Sequence, residues 1–353
     1  AFLCAVPEGF RVLRAATFPD GKVVPMETLL EQRQLRRGGN LQVLRVEPPA
    51  PRLAKAVHEL LAHKPRPYDR HLELALRGEC GALETRFYLG LLDGEAVCNV
   101  MTVERRGVGI LGHVFTKPEH RREGIASAVM ERQMIDFKAR GGKVLLLGTG
   151  YQSGAYRMYQ SFGFRDWEGG APGLMRWDDP DDPEFANRFF APSEGLPEVA
   201  AWEHWPLVAL LGATPANIGL RCVSMGLRDL GLMEGPYCAY MVRMSGRENV
   251  TGRVLVSQRG AVTALATLIP DERWQNELFL FDLAFHPLVD PYDLRRLVSQ
   301  IPLQGRRIQC FSDPADGVKI GVLETAGFVR ESVVQRQFKR DGVWRDAWIY
   351  GIG

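Results

Sequence analysis

Val114-Phe115-Thr116-Lys117-Pro118-Glu119-His120-Arg121-Arg122-Glu123-Gly124-Ile125-Ala126 runs from a β-branched and aromatic segment through a basic turn into the start of a helix. Free backbone N–H groups at such a helix start, reinforced by the positive end of the helix dipole, bind phosphate oxygens without a dedicated side chain. Gly124 lets a ligand approach the backbone closely and the small Ala126 keeps the surface open. Arg121 and Arg122 add charge suited to a pyrophosphate or a sugar phosphate.

The pattern outside this turn is regular. Residues 41–46 suit a strand and 51–62 an amphipathic helix, and 86–92, 96–103 and 110–116 read as three consecutive strands, the first two joined at Asp93-Gly94. A helix is expected over 123–140, with Ala126, Val129, Met130, Met134 and Phe137 as its apolar stripe and Gly141-Gly142 as its end. A strand at 144–147, a helix at 154–162 closed by Gly163, and two strand-like pieces up to Trp177 follow. The fold class is α/β: a mixed sheet, antiparallel first and parallel later, with helices packed on both faces. Residues 1–40 form an N-terminal extension without an assigned role, with a turn at Pro19-Asp20-Gly21-Lys22 and a helix over 26–35.

Two ordered motifs resemble the GNAT superfamily of acetyl-CoA-dependent N-acyltransferases. The family's pyrophosphate loop, Arg/Gln-x-x-Gly-x-Gly/Ala, is matched by Arg121, Gly124 and Ala126, and its later motif, Ala-x-x-x-Tyr-x-x-x-Gly-Phe, by Ala155, Tyr159, Gly163 and Phe164. The resemblance covers residues 41–177. It implies a pyrophosphate on the amides of Arg122, Glu123, Gly124 and Ala126, with Ile125 in the same loop, and a pantetheine arm paired like an added strand with Val114, Phe115 and Thr116. It also implies Tyr159 as the acid that protonates the departing thiolate. Ser153 stands where the family often has Asn, at the start of the last helix, and can cap it. The usual base position, eleven residues before Arg121, holds Ile110; His113, Glu104, Glu168 or a water is then the available base.

The second half follows the same order. Strands at 253–257, 261–268 and 278–284, a helix at 291–300, a strand at 305–310 and a helix at 317–326 repeat the first half structurally, without close sequence identity. Its phosphate site is lost: Leu288-Val289-Asp290-Pro291-Tyr292-Asp293 removes one amide donor at Pro291 and sets two carboxylates against an anion, and Leu323 replaces the tyrosine. The expected organisation is a catalytic domain at 41–177, an acidic, proline-containing linker at 178–202 partly packed through Phe189 and Phe190, and a degenerate copy at 203–353 that buries a face of the first or completes the acceptor pocket. Such a tandem resembles the enhanced intracellular survival family of acetyltransferases. That family adds a sterol-carrier-like domain for which this chain has no room, so its acceptor specificity is not carried over.

Composition sets the outer limits. At 353 residues, 46% hydrophobic and 24% charged, the chain has the make-up of a folded protein of about two domains rather than a disordered one. A net charge of +2 supplies no global field toward nucleic acid or an anionic membrane, and no apolar stretch approaches the roughly 18 residues of a membrane helix. Ala1 to Val6 is too short for a signal peptide. Six scattered cysteines without a Cys-x-x-Cys pair read as reduced thiols, and no metal site is expected. The reading is a cytoplasmic N-acetyltransferase that takes acetyl-CoA and an amine acceptor, with a homodimer allowed. The alternative is a non-enzymatic acyl-CoA-binding sensor, which would keep Arg121 and Gly124 without needing Tyr159.

Overall fold

Residues 26–35, Met-Glu-Thr-Leu-Leu-Glu-Gln-Arg-Gln-Leu, are good helix formers by intrinsic propensity, yet in the computed structural model all but the last belong to a strand. The structure describes residues 9–17, 23–216, 218–246, 249–275 and 277–353, so the turn expected at 19–22 and the opening apolar segment lie outside the described residues. Strand β2 (Val23–Gln34) runs antiparallel between β1 (Arg11–Thr17) and β3 (Asn40–Val46). Pairing on both edges overrides the helical preference, and the segment widens the first sheet instead.

The chain divides into two units: residues up to Asp166 with Pro172–Asp182, and Trp167–Ala171 with Pro183–Gly353. In the first unit, β3 is followed by α1 (Pro51–Leu61), α2 (Arg66–Arg77), β4 (Glu84–Leu92), β5 (Glu95–Arg105), β6 (Val108–Thr116), α3 (Ile125–Ala139), β7 (Val144–Gly148), α4 (Gly154–Ser161), β8 (Arg165–Asp166) and β9 (Leu174–Asp178). The sheet order is β1-β2-β3-β4-β5-β6-β7-β9-β8, and among the described residues only β6 and β7 are parallel. Asp93-Gly94 and Arg106-Gly107 each put two consecutive residues at positive φ, the condition for tight type I′ hairpins, and so fix β4-β5-β6 as a meander. Helix α2 was not read from the sequence. Its signals are Pro67 in the first turn and the left-handed cap Gly78, φ +75°.

Helices cover both faces. Ile125, Val129 and Phe137 of α3 and Tyr156 and Tyr159 of α4 share one core cluster with Leu111, Leu145 and Leu147. Helix α1 lies on β5 and β6 from the other side, where its residue Leu60 and the following His63 precede α2.

The second unit repeats this order. After α5 (Phe185–Phe189) come β10 (Gly195–Val199), α6 (Trp205–Gly212), α7 (Glu234–Gly246), β11 (Thr251–Ser257), β12 (Val262–Pro270), β13 (Leu278–Phe285), α8 (Pro291–Val298), β14 (Arg307–Ser312), α9 (Gly317–Thr325), β15 (Val329–Arg340) and β16 (Val343–Ile352). The order β10-β11-β12-β13-β14-β16-β15, with only β13 and β14 parallel among the described residues, matches the order from β3 to β8 strand for strand. Residues 178–202 are thus partly regular: β10 pairs with β11, and Pro197 is tolerated because β10 is an edge strand. Phe189 and Phe190 are buried, and Phe190 stacks on His286 at 4.4 Å.

Candidate functional site

Strands β6 and β7 pair only at Val108–Val144, Gly109–Leu145 and Ile110–Leu146. Beyond Ile110 they separate, and among the described residues no strand lies beside the β6 edge from Leu111 to Thr116 on that side. On its other side β6 carries a β-bulge: Met101 faces Gly112 and Asn99 faces Phe115, so one β5 residue spans two of β6, His113 and Val114. His113 takes φ +52°, in the left-handed region that non-glycine residues rarely enter. Because side chains alternate along a strand, the extra residue re-aims everything after it. Val114 packs against the α3–α4 cluster, while Phe115 stacks on His63 at 4.6 Å and His113 meets the edge of Tyr68 of α2 at 5.1 Å.

The bulge is held from β5. Asn99 Nδ2 donates to the His113 carbonyl at 2.8 Å, and both residues are buried. The His113 Nε2 has no hydrogen-bond partner among the described residues. Burial, with added repulsion from Lys64, His71 and His63, holds the His113 imidazolium pKa well below the usual histidine range, so the ring is neutral at physiological pH. Burial alone pushes His71 down to about 3.

The turn after β6 leads into an open helix end. Arg122 and Gly124 take φ +64° and +80°, and α3 begins at Ile125 with no side-chain cap and no acidic residue in its first turn. A Cβ at Gly124 would meet nothing within 4 Å among the described residues. Arg121 donates from Nε to the Thr116 carbonyl at 3.0 Å and places its guanidinium over Phe115, tying the motif arginine to the end of β6. Glu123 is drawn aside toward His120 and Arg37, at 3.6 and 3.9 Å. Ile125 is buried, so only its backbone faces the turn, and Ala126 is half-buried. At α4, Ser153 accepts from the Tyr156 N–H at 3.0 Å as the N-cap. The Tyr159 ring is buried against Phe164 in the α3–α4 cluster, so Tyr159 and His113 lie on opposite faces of the sheet.

Glu104 is excluded as the base. It lies toward the opposite end of β5, in a buried network with Arg86 at 3.0 Å and Arg140 at 2.5 and 3.0 Å. Burial pushes its pKa up, but the two guanidiniums outweigh that and hold it at about 2. Asp136 extends the network to Tyr88 and Arg45. Glu168 is exposed and belongs to the second unit. The sequence reading missed Asn99, His63 and Tyr68; for Asn99 the available signal was a lone amide inside the apolar run of β5.

The corresponding region of the second unit is closed. Asp290 caps α8 by accepting from the Tyr292 N–H at 2.8 Å, Pro291 has no N–H, and the Asp293 carboxylate accepts from Gly195 at 3.1 Å. The separated ends of β13 and β14 are bridged by the unit's own chain. Asp282 accepts from the N–H groups of Val223 and Ser224, Asp313 from that of Gly219, and buried Lys319 of α9 lies 3.4 Å from the Arg221 carbonyl.

Residues 88–169 match the GNAT-related family model described as FR47-like protein. That stretch contains both motifs, from within β4 to just beyond β8. None of the curated proteins compared with the chain matches it. Among solved structures, the chain is similar to an acetyltransferase of the GNAT family from Streptococcus pneumoniae (13% identity, 45% of this chain and 98% of that one, TM-score 0.37). It is also similar to a GNAT superfamily phosphinothricin acetyltransferase from Sinorhizobium meliloti in complex with AcCoA (14%, 45% and 87%, 0.35). A third is the spermidine/spermine N-acetyltransferase SpeG from Vibrio cholerae in complex with manganese ions (13%, 45% and 92%, 0.33).

Proposed function

We propose that the first unit transfers an acetyl group from acetyl-CoA to a primary amine. The observation that carries this reading is the uncapped N-terminus of α3 lying directly after a strand edge left open by the β6–β7 separation. Amide donors of Arg122, Glu123, Gly124 and Ala126 hold the pyrophosphate, assisted by Arg121, and the pantetheine arm adds to the free edge of Val114–Thr116. The helix capped by Ser153 borders the thioester end.

In the step itself, the amine nitrogen bonds to the thioester carbonyl carbon and the C–S bond breaks. Tyr159 gives its proton to the departing thiolate, and the amine's proton passes to the neutral His113, from which it returns to solvent. A gap that opens the sheet admits an acid from one face and a base from the other. The five described cysteines are free and buried, in keeping with a reducing compartment. The second unit, with its capped α8 and bridged strands, binds no acetyl-CoA.

Calorimetry of the full chain with acetyl-CoA tests the binding part and should give one site per chain. Thiol release in the presence of a panel of primary amines tests the chemistry. Absence of binding overturns the reading outright, and binding without amine-dependent thiol release moves the protein to the sensor class.

A further inference from the structure

Asn99 is a primary amide inside the apolar run from Ala96 to Met101 of β5, fully buried at 0% exposure. Its Nδ2 makes the bond to the His113 carbonyl, and its Oδ1 has no hydrogen-bond partner among the described residues. An unmet buried acceptor disfavours the fold by about 1–3 kcal/mol, so an aliphatic residue of similar size would serve packing better. The second unit contains that aliphatic residue. Counting from the matched parallel pairs Ile110–Leu146 and Leu280–Gln309, Gly112 corresponds to Asp282, and their antiparallel partners are Met101 and Thr267. Two residues earlier on each partner strand stand Asn99 and Leu265. Where leucine stands, β12 and β13 pair from Ala264–Phe285 to Pro270–Phe279 without any register shift. Where asparagine stands, the strand is bulged and His113 sits at φ +52°.

We infer that Asn99 is a positioning residue for acetyl transfer: by holding the His113 carbonyl it keeps the His113–Val114 backbone out of the β5 ladder, free to donate to the thioester carbonyl. As the amine adds, that carbonyl oxygen gains negative charge and needs a donor already in place. Neither His113 nor Val114 is paired with a β5 residue in the strand register, and because the His113 carbonyl faces Asn99 on the β5 side, the Val114 N–H of the same trans peptide points the other way, to the edge of β6 that β7 leaves open. Asn99 touches neither substrate nor cofactor and acts only through this backbone. A left-handed histidine persists only if something holds it there, and the amide supplies the hold.

The inference rests on acetyl-CoA lying along β6 as proposed above, and its test separates the two. Acetyl-CoA carrying an isotope label at the acetyl carbonyl is bound to the full chain and its carbonyl stretch is read by infrared difference spectroscopy, which needs no acceptor. The wild type should shift the stretch to lower frequency. Asn99→Leu should bind acetyl-CoA within about threefold of the wild type yet lose the shift, and its turnover with any amine found should fall by about ten- to a hundredfold, less than the full loss of an oxyanion donor. Asn99→Asp serves if the leucine variant does not fold. A buried carboxyl there is protonated at low pH and can donate as the amide does, so the shift should be present in acid and disappear as pH rises. An unchanged bound frequency in folded Asn99→Leu, or a pH-independent one in Asn99→Asp, overturns the inference. A wild type that fails to bind acetyl-CoA overturns the proposed function, and the inference with it.

Discussion

Substituting the two ends of α3 separates ligand chemistry from backbone strain. Gly124 precedes the helix at φ +80° and Gly141 follows it at φ +84°, and among the described residues an added Cβ would meet nothing within 4 Å at either position. Alanine at each therefore introduces no clash, only a left-handed backbone that disfavours an L-residue by about 1–2 kcal/mol. For a unit of this size that lowers Tm by roughly 2–4 °C per kcal/mol, the same for both variants. They differ in what the open space is for. If it receives the pyrophosphate, a methyl at Gly124 intrudes and one at Gly141 does not. Gly124→Glu goes further: a carboxylate roughly 5 Å from a phosphate charge repels it by about 1–3 kcal/mol at surface dielectrics, which is about five- to a hundredfold in Kd. Thermal melts paired with acetyl-CoA calorimetry on the three variants give both numbers. Equal losses of affinity in Gly124→Ala and Gly141→Ala, or an unchanged Kd in Gly124→Glu, would refute the assignment of α3 as the pyrophosphate site.

Tyr159→Phe keeps the buried ring and removes the acid, so kcat should fall about a hundredfold to ten-thousandfold while acetyl-CoA affinity stays nearly constant. An unchanged kcat in a variant whose chemistry limits turnover removes Tyr159 from the mechanism. Glu104 predicts a pH effect on stability with a definite sign. Its folded pKa of about 2 lies below the unfolded value near 4.5, so its contribution is complete above about pH 4.5 and is lost as pH falls toward 2. Glu104→Gln leaves Arg86 and Arg140 without that partner and should lower stability by about 3–5 kcal/mol at neutral pH. Denaturant titrations at several pH values should then show a shallower acid loss in the variant, and an equal acid slope in both proteins would contradict the assignment.

The sequence carried the order of elements well where hydrophobic period, glycine turns and length agreed. Residues 86–92, 96–103 and 110–116 became β4, β5 and β6 with small boundary shifts, because Asp93-Gly94 leaves a hairpin little choice. The helix expected over 26–35 failed because a strong local propensity met pairing on two edges, and only the fold knows about those edges. Long-range position was the harder part. His113 was readable as a histidine on a strand, but the face it takes depends on a bulge invisible to alternation, and alternation without that bulge would put it on the α3–α4 side. The same holds for Glu104, a candidate base by residue type that the fold buries between two arginines.

The two units show how little of the fold depends on the site. Both keep parallel pairing limited to three residue pairs, and both start the last helix ten residues after the first of those pairs, at Gly154 from Val144 and at Gly317 from Arg307. What differs is local and chemical: Asn99 against Leu265, an uncapped α3 against an α8 capped by Asp290, Tyr159 against the buried Leu323. Two of these differences remove from the second unit a group left unsatisfied in the first: the Asn99 amide oxygen and the uncapped start of α3. The capped helix end, the unbulged ladder and the bridging segment Gly219–Ser224 all exchange an open donor or edge for an internal bond, the direction expected when selection for a ligand is absent and only stability remains. The first unit holds a left-handed histidine on β6, an unmet amide oxygen on the neighbouring β5 and an uncapped helix start after the turn that follows β6. Stability gives no reason to keep all three, and the proposed ligand, bonding to the terminus and the strand edge, would.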